Sequence, residues 1–301
     1  GLCSACSALV RGARRPRAAT ALAAALLAGC ARPARAAAVL DCGAGLRVHQ
    51  LSLGSMQNYQ YIVESGGAAV TVDAAWDIPR IQRYARSQGL RLVGALYTHG
   101  HFDHVGGQLP GQSSSVQGAA FLSSGSKGAD DGPLPLWIGA GDVTAATLQT
   151  GLSAEAWTAV KDGAVLEPLG SGARVLVIGT PGHSQGGVSY YVRSGGEDGQ
   201  CSGGLLFSGD SVFIKSVGRT DLPGGNQKTL LKSLSRLSKL PDAAVVLSGH
   251  SYDAPPRRAT IGHVRSVNQW MIQGLRQFPP EKLKALPANF FQAAPAASDE
   301  L

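Results

Sequence analysis

Residues 98–104 read Thr-His-Gly-His-Phe-Asp-His, and this stretch decides the fold and the chemistry of the chain. It ends an apolar run over residues 92–98 that predicts a buried strand. Titratable side chains crowded at a strand end have no stabilising partner in ordinary structure, whereas a divalent metal ion would be one. Imidazole nitrogen and carboxylate oxygen suit zinc, and iron and manganese accept the same ligands. We therefore predict a metal site here.

His183, Asp210 and His250 stand in a similar setting elsewhere in the chain. Each comes just past an apolar run that predicts a strand, over residues 174–179, 204–208 and 243–247, and each is preceded by glycine. Glycine lets the backbone turn tightly, so that the next side chain points beyond the end of the strand. Since α/β folds place ligands at the carboxyl ends of strands, we expect these residues to join the first cluster.

The whole set resembles the complete ligand set of the metallo-β-lactamase superfamily, in that family's order. It consists of His99, His101, Asp103, His104, His183, Asp210 and His250. The similarity covers residues 46–268 and implies an α/β fold, the four-layer αββα sandwich. It also implies that His99, His101 and His183 bind a first metal ion, that Asp103, His104 and His250 bind a second, and that Asp210 bridges the two.

A narrower resemblance, to the glyoxalase II-like branch, lies in residues 206–213 and 218–225. These segments read Leu-Phe-Ser-Gly-Asp-Ser-Val-Phe and Gly-Arg-Thr-Asp-Leu-Pro-Gly-Gly. Glyoxalase II enzymes hydrolyse acyl-glutathione thioesters. The neighbouring persulfide dioxygenases share much of the second segment but use a single iron at the positions of His99, His183 and Asp210. Three departures leave the thiol carrier open. His263 and Val264 replace acidic residues, and Gln269 stands where a proline is usual. The C-terminal basic residues that bind glutathione in glyoxalase II have no match here.

The implied function is metal-dependent hydrolysis, foremost of thioesters such as acyl-glutathione. Two metal ions about 3.5–4 Å apart hold a bridging hydroxide at neutral pH, because coordination lowers the pKa of water. That hydroxide would attack the activated carbonyl, and no serine or cysteine nucleophile is required. Asp103 is expected to orient the nucleophile, and Asp210 is expected to keep the two metals paired.

Arg219 is the candidate for substrate binding, because its planar guanidinium can hold a carboxylate through two hydrogen bonds. A structural salt bridge with Asp221 explains the same residue equally well. His49 and His263 fall outside the ligand pattern and are interpreted as ordinary residues. For Tyr252, aromatic packing is the favoured role and lining of the pocket is the alternative.

Other reactions stay open beside thioester hydrolysis. The Gly-Arg-Thr-Asp segment also suits a mononuclear iron persulfide dioxygenase, and metal content and oxygen consumption would separate the two. Hydrolysis of lactones or β-lactams is compatible with the fold but is not favoured by that segment. A non-enzymatic metal-binding protein is disfavoured, because no ligand is missing from the set.

Charge argues against a nucleic-acid partner. The formal net charge is +7, from 27 basic and 20 acidic residues, but residues 1–38 carry six arginines and no acid. The remaining chain has 21 basic residues against 20 acidic ones and is close to neutral. A broad phosphate-binding face therefore has no support, and we expect a small-molecule partner, a thioester or a thiol conjugate.

Residues 1–38 are predicted to form a targeting leader, with basic residues, an apolar run over residues 18–29 and then small residues. The apolar run is too short to span a bilayer, so no stable membrane span is expected. The last four residues, Ser-Asp-Glu-Leu, resemble an endoplasmic reticulum retention tail and favour the secretory pathway or an organelle lumen. Arg14 and Arg15 also suit a twin-arginine signal, so a plastid or thylakoid lumen and a bacterial periplasm are alternatives.

The rest of the chain divides into a catalytic domain over residues 46–276 and a Pro- and Ala-rich tail over residues 277–301, expected on the surface. Residues 108–135 have no sustained period and predict a flexible surface insertion. Helices are predicted from Asp77, from Asp142 as N-cap, and over residues 227–240 and 259–274. Cys42 and Cys201 lack the pattern of a metal site, so one disulfide and two free thiols are both open.

Overall fold

The computed structural model describes residues 37–291 except 110, 112–113, 126–131, 195–199 and 253–257. The predicted leader up to residue 36 and the C-terminal Ser-Asp-Glu-Leu lie outside the described residues. The first strand begins at Ala38, ahead of residue 46, where the catalytic domain was predicted to begin. Among the described residues, no helix has the length and apolar character needed to cross a membrane.

The first sheet contains seven strands among the described residues. In sheet order they are β1 (Ala38–Asp41), β2 (Leu46–Leu53), β3 (Asn58–Ser65), β4 (Ala68–Val72), β5 (Arg91–Tyr97), β8 (Leu136–Gly139) and β9 (Trp157–Val160). Neighbours from β1 to β4 are antiparallel, as short turns between them require. Neighbours from β4 to β9 are parallel, so their carboxyl ends meet at one edge of the sheet.

The second sheet contains six described strands, and only two neighbours in it are parallel. In sheet order they are β10 (Val165–Leu166), β11 (Ala173–Gly179), β12 (Val188–Ser194), β13 (Leu205–Gly209), β14 (Val245–Ser248) and β15 (Ala259–Thr260). The parallel pair is β13 and β14, and a helix connects them, as a parallel crossover requires. A separate small hairpin pairs β6 (Gly107–Gln108) with β7 (Ser115–Val116).

Helices pack on the outer face of each sheet. They are α1 (Ile78–Ser87), α2 (Phe102–Val105), α3 (Gly118–Ser124), α4 (Val143–Thr150), α5 (Gln227–Leu237), α6 (Ile261–Val267) and α7 (Gln269–Gln277). One core lies between the sheets, where Val63 and Val72 meet Val177 and Phe207. A second core packs α1, α3 and α4 on the first sheet, and a third packs α5, α6 and α7 on the second. The predicted α/β sandwich of four layers is confirmed.

Capping residues explain where the two longest helices begin. Asp77 precedes α1, and its carboxylate accepts a hydrogen bond from the Arg80 backbone N–H at 3.3 Å. Asn226 caps α5 in the same way, accepting from the Thr229 N–H at 2.8 Å. Beyond its cap, α5 buries a stripe of leucines on the second sheet, as their helical spacing predicts.

A disulfide joins Cys42 to Cys201, which decides between the two alternatives that the sequence left open. Cys42 follows β1 and Cys201 precedes β13, so the bond ties the first sheet to the second across 159 residues of chain. Closing a long loop restricts the unfolded chain, and such a bond typically stabilises a fold by about 2–4 kcal/mol.

The interpretation of residues 108–135 as a flexible surface insertion needs correction where they are described. They hold β7 and α3, and Val116, Ala119 and Leu122 are buried in the fold. The backbone N–H of Gly118 donates to the carbonyl of Ala75 at 2.9 Å, which fixes the start of α3 against the first sheet. A helix of seven residues is too short to produce a sustained apolar period, so the sequence pattern did not reveal it.

The C-terminal region also differs from its prediction. The single helix expected over residues 259–274 is interrupted at Asn268, whose backbone is extended. Its side chain accepts from the Met271 N–H at 3.0 Å and donates to the Phe213 carbonyl at 3.0 Å, so it both ends one helix and starts the next. Part of the tail is not on the surface, because Phe290 is buried against Tyr191.

Candidate metal centre

The seven predicted ligands come together where strands of the two sheets end. His99 comes two residues after the end of β5, and α2 carries Asp103 and His104. His183 lies in the loop between β11 and β12, Asp210 comes directly after β13, and His250 lies just past β14. All of these side chains are buried except that of His101, which is partly exposed.

Their donor atoms form two adjoining triads. His99, His101 and His183 can each offer an atom within 4.8 Å of the others, and so can Asp103, His104 and His250. Asp210 joins His99 and His104 in a third group of the same size. The structure therefore brings together the two sets that the resemblance assigned to two metal ions, with Asp210 between them.

Several donor atoms face one another or have no hydrogen-bond partner that would explain their burial. Nε2 of His183 lies 3.0 Å from Nδ1 of His101, and Nε2 of His104 lies 3.2 Å from Nε2 of His250. Nε2 of His99 and Oδ1 of Asp210 are buried with no hydrogen-bond partner among the described residues. Buried polar atoms are normally satisfied, so this donor set fits divalent metal ions.

The outer nitrogens of the same rings are held by the protein. Nδ1 of His183 donates to the Arg219 carbonyl at 2.7 Å, and Nδ1 of His250 donates to the Met56 carbonyl at 2.9 Å. Nδ1 of His104 donates to the Asp73 carboxylate at 3.0 Å. Such bonds fix the orientation of a ligand ring and leave its other nitrogen free for a metal.

Comparison with known proteins agrees with this geometry. The model of the metallo-β-lactamase superfamily matches residues 53–108 and 159–250, which contain all seven predicted ligands. A probable metallo-hydrolase YqgX of Bacillus subtilis is 31% identical over 68% of this chain and 90% of its own length. The chain belongs to the metallo-β-lactamase superfamily.

Two further similar proteins add detail. A hydroxyacylglutathione hydrolase of Cupriavidus taiwanensis is 30% identical over 70% of this chain and 67% of its own length. The crystal structure of TTHA1623 in a di-iron-bound form superposes with a TM-score of 0.54 at 29% identity, over 73% of this chain and 98% of that one. The chain is therefore similar to a hydroxyacylglutathione hydrolase and to a protein whose crystal structure is of a di-iron-bound form.

The two triads differ in their electrostatics. Burial and the neighbouring imidazoles lower the pKa of His101 to about 4 and that of His99 well below its ordinary value. Burial would also lower the pKa values of His104 and His250, but the carboxylates of Asp103 and Asp210 raise them to about 9 and about 10. Metal ligands must be deprotonated. Without metal, His99 and His101 are thus ready to bind, whereas His104 and His250 hold protons that a metal would displace.

Asp73 is a supporting residue of this superfamily site that sequence reasoning missed. Besides His104, its carboxylate accepts from the backbone N–H of Thr98 at 2.7 Å and from the Thr98 hydroxyl at 2.8 Å. It thereby ties the end of β4 to the start of the ligand stretch. A signal for it existed, because Asp73 comes directly after an apolar strand, as Asp210 does. It lacks the preceding glycine, and the residue itself takes the turn, with φ 53°.

Asp142 has a role other than the predicted helix cap. It precedes α4, but its side chain makes no capping hydrogen bond. The buried carboxylate instead accepts from the Gly100 N–H at 3.0 Å, the Ser184 hydroxyl at 2.6 Å and the Gly186 N–H at 2.5 Å. It therefore joins the loop that carries His101 to the loop after β11.

A cavity of about 860 Å³ opens above the two triads. Its wall includes the predicted ligands His101, Asp103, His183, Asp210 and His250. Asn58 supports the floor, because its amide donates to the Asp103 carboxylate at 3.0 Å. The arrangement can admit a small molecule to the ligand cluster from one side.

Arg219 lies at this cavity, but its side chain is already engaged. The guanidinium donates two hydrogen bonds of 2.7 Å to the two carboxylate oxygens of Asp221, and both side chains are exposed. What Arg219 contributes to the metal centre directly is its backbone carbonyl, which holds His183. Tyr252 stacks on His250, with ring centroids 4.4 Å apart, in keeping with aromatic packing.

Proposed function

We propose that this chain is a dinuclear metal-dependent hydrolase of thioesters, with zinc as its metal. One observation carries the proposal: six donors form two adjoining triads with Asp210 between them, and buried His99 Nε2 and Asp210 Oδ1 have no hydrogen-bond partner among the described residues. Zinc is supported by the donor set of imidazoles and carboxylates, for which iron and manganese are the competing metals. The thioester is supported by the similarity to hydroxyacylglutathione hydrolases and by the glyoxalase II-like segments of the sequence.

Each triad is expected to hold one metal ion. A bound divalent metal lowers the pKa of water and polarises a carbonyl oxygen. His99, His101 and His183 would hold the first ion, Asp103, His104 and His250 would hold the second, and Asp210 would keep the two together. Asp103, which accepts a hydrogen bond of 3.0 Å from Asn58, would also orient a water molecule at the cavity floor. The substrate is a small molecule that enters through the cavity above the cluster.

We further propose that the protein is located in an oxidising compartment, such as a secretory or organelle lumen. The Cys42–Cys201 disulfide supports this location, because structural disulfides persist in such compartments and are rare in the reducing cytosol.

Metal content and turnover of the purified protein test this function together. We expect about two zinc ions per chain and hydrolysis of S-lactoylglutathione or another thioester. The competing reaction is that of a persulfide dioxygenase, which the segment at residues 218–221 also suits. About one iron per chain, with oxygen uptake on glutathione persulfide and no thioester turnover, would establish that reaction instead.

A further inference from the structure

Large apolar side chains are exposed around the mouth of the cavity. Among the described residues, four such side chains are exposed: Val39, Met56, Leu148 and Tyr252. All of them except Val39 line the cavity, and Leu148 is 81% exposed. Single exposed apolar residues are ordinary, but a group of them beside a reaction site marks a surface that binds an apolar ligand.

Two of the three apolar side chains of this wall (Met56, Leu148 and Tyr252), those of Met56 and Tyr252, belong to residues that contact the ligand His250. Tyr252 stacks on the ring of His250, and its other neighbour is the ring of Phe213, with centroids 5.4 Å apart. The carbonyl of Met56 accepts the hydrogen bond from His250 Nδ1. Met56 and Tyr252 therefore stand at fixed places beside the ligand His250, and Leu148 lines the same cavity.

The cavity offers little to a charged carrier. Arg219 is the one lysine or arginine among the described residues of its lining, and Asp221 already occupies both arms of its guanidinium. The remaining charges of the lining are the carboxylates of Asp103, Asp142 and Asp210 and the histidines of the metal centre. The two carboxylates of a glutathione conjugate would thus find no free cation in the described wall.

We propose that the site selects thioesters with an apolar acyl chain, held against Leu148, Met56 and Tyr252, and that the thiol carrier contributes little to recognition. This inference rests on the thioester hydrolysis proposed above. In that reaction the oxygen of water bonds to the carbonyl carbon, the carbon–sulfur bond breaks, and the thiol and the carboxylic acid share the two protons of water. The departing thiolate needs water or a cation near it, whereas an acyl chain needs neither, so the chain takes the apolar side.

The test compares thioesters that share one uncharged carrier. With N-acetylcysteamine as the thiol, kcat/KM is expected to be at least about tenfold higher for the hexanoyl than for the acetyl ester, since each buried methylene favours binding. The hexanoyl ester is also expected to react faster than S-lactoylglutathione. Equal kcat/KM values for hexanoyl and acetyl esters would overturn the proposal, as would a preference for S-lactoylglutathione.

Variants test whether the apolar wall causes the preference for the hexanoyl ester. Leu148→Ser is expected to reduce the hexanoyl-to-acetyl ratio by about threefold or more, whereas Val39→Ser, an exposed apolar residue outside the cavity, is expected to leave it unchanged. An unchanged ratio in Leu148→Ser contradicts the proposal. So does a change in oligomeric state in Leu148→Ser alone, which would make the wall an interface between copies.

Binding of thioethers separates this inference from the proposed function. S-hexyl-N-acetylcysteamine cannot be hydrolysed, and calorimetry should show that it binds more tightly than the S-methyl compound. Tighter binding without turnover of any thioester would refute the reaction and retain the apolar selectivity. Equal binding of the two thioethers would refute the selectivity, whatever the turnover.

Discussion

The metal centre and a second polar cluster both bury histidine beside a carboxylate, but the groups around these side chains differ. In the second cluster, Nδ1 of His49 lies 2.9 Å from the Tyr84 hydroxyl and its Nε2 lies 3.4 Å from Glu64. Glu64 also forms an ion pair with Arg47. Nδ1 of His49 thus has a hydroxyl partner, its Nε2 faces a single carboxylate, and that carboxylate has a cation. At the metal centre, inner imidazole nitrogens face one another instead.

The comparison shows which feature identifies a metal site. Residue type and burial are the same in both clusters, since His49 and His104 are each almost fully buried. Their pKa values shift in opposite directions: burial lowers that of His49 despite Glu64, whereas three carboxylates raise that of His104. What distinguishes the metal centre is a convergence of donor atoms from seven residues, in which imidazole nitrogens face other imidazole nitrogens.

The largest expected effect is the loss of a ligand. His101→Ala should lower thioester turnover by at least about 100-fold and reduce the metal content, because even loss of an outer partner costs about 10–100-fold. His49→Ala, a buried histidine of the other cluster, should keep its metal and stay within about twofold of wild-type activity. Elemental analysis and kinetics check both. If His101→Ala retained full metal, or if His49→Ala lost it, the distinction between the clusters would fail.

A smaller effect is expected when a supporting carboxylate is changed. Asp73→Asn removes the acceptor of the His104 ring and should weaken metal affinity by about 10–100-fold. Glu64→Gln makes the matched change beside His49 and should leave metal affinity unaltered. Competition with a zinc chelator measures both, and equal effects of the two variants would contradict the expectation.

Asp142 is expected to stabilise the fold, because its carboxylate joins two loops through three hydrogen bonds. Asp142→Asn places an NH₂ group among three donors and should cost about 2–3 kcal/mol of unfolding free energy. Asp41→Asn is the control, because exposed Asp41 accepts a single hydrogen bond from the Gly43 N–H, and it should change stability by less than about 0.5 kcal/mol. Denaturant titration measures the difference, and similar values for both variants would count against the role of Asp142.

The smallest expected effect is the contribution of His49 to the pH dependence of stability. The unfolded chain takes up this proton near pH 6.5, whereas the folded protein takes it up only at lower pH, because burial lowers the pKa. Just below pH 6.5 the unfolded state therefore binds more protons, and stability falls as pH decreases. His49→Gln should make the Tm of the zinc-loaded protein depend less on pH between pH 7.5 and pH 5. An unchanged pH dependence of its Tm would show that His49 does not contribute.

Sequence reasoning succeeded where a short pattern reflects a local geometric need. Strand, glycine and ligand occur together because a tight turn aims a side chain beyond the sheet, and this placed His183, Asp210 and His250 near the first cluster. The capped start of α1 at Asp77 is another local feature that was predicted correctly.

Features that depend on distant parts of the chain could not be predicted from a local sequence pattern. The Cys42–Cys201 pairing spans 159 residues, and the three hydrogen bonds to Asp142 come from loops far from it in sequence. The interruption at Asn268 depends on the carbonyl of Phe213, which no helical period could indicate. Arg219 was predicted to bind substrate with a salt bridge as the alternative, and the structure places it in that salt bridge.

The metal content of the purified protein tests the central claim most directly. Elemental analysis after incubation with zinc and removal of excess metal should give about two ions per chain for the wild type and for His49→Ala, with fewer for His101→Ala. A wild-type value of about one ion or none would contradict a centre built for two metals, and a second ion lost from His49→Ala would place part of the site in the other cluster.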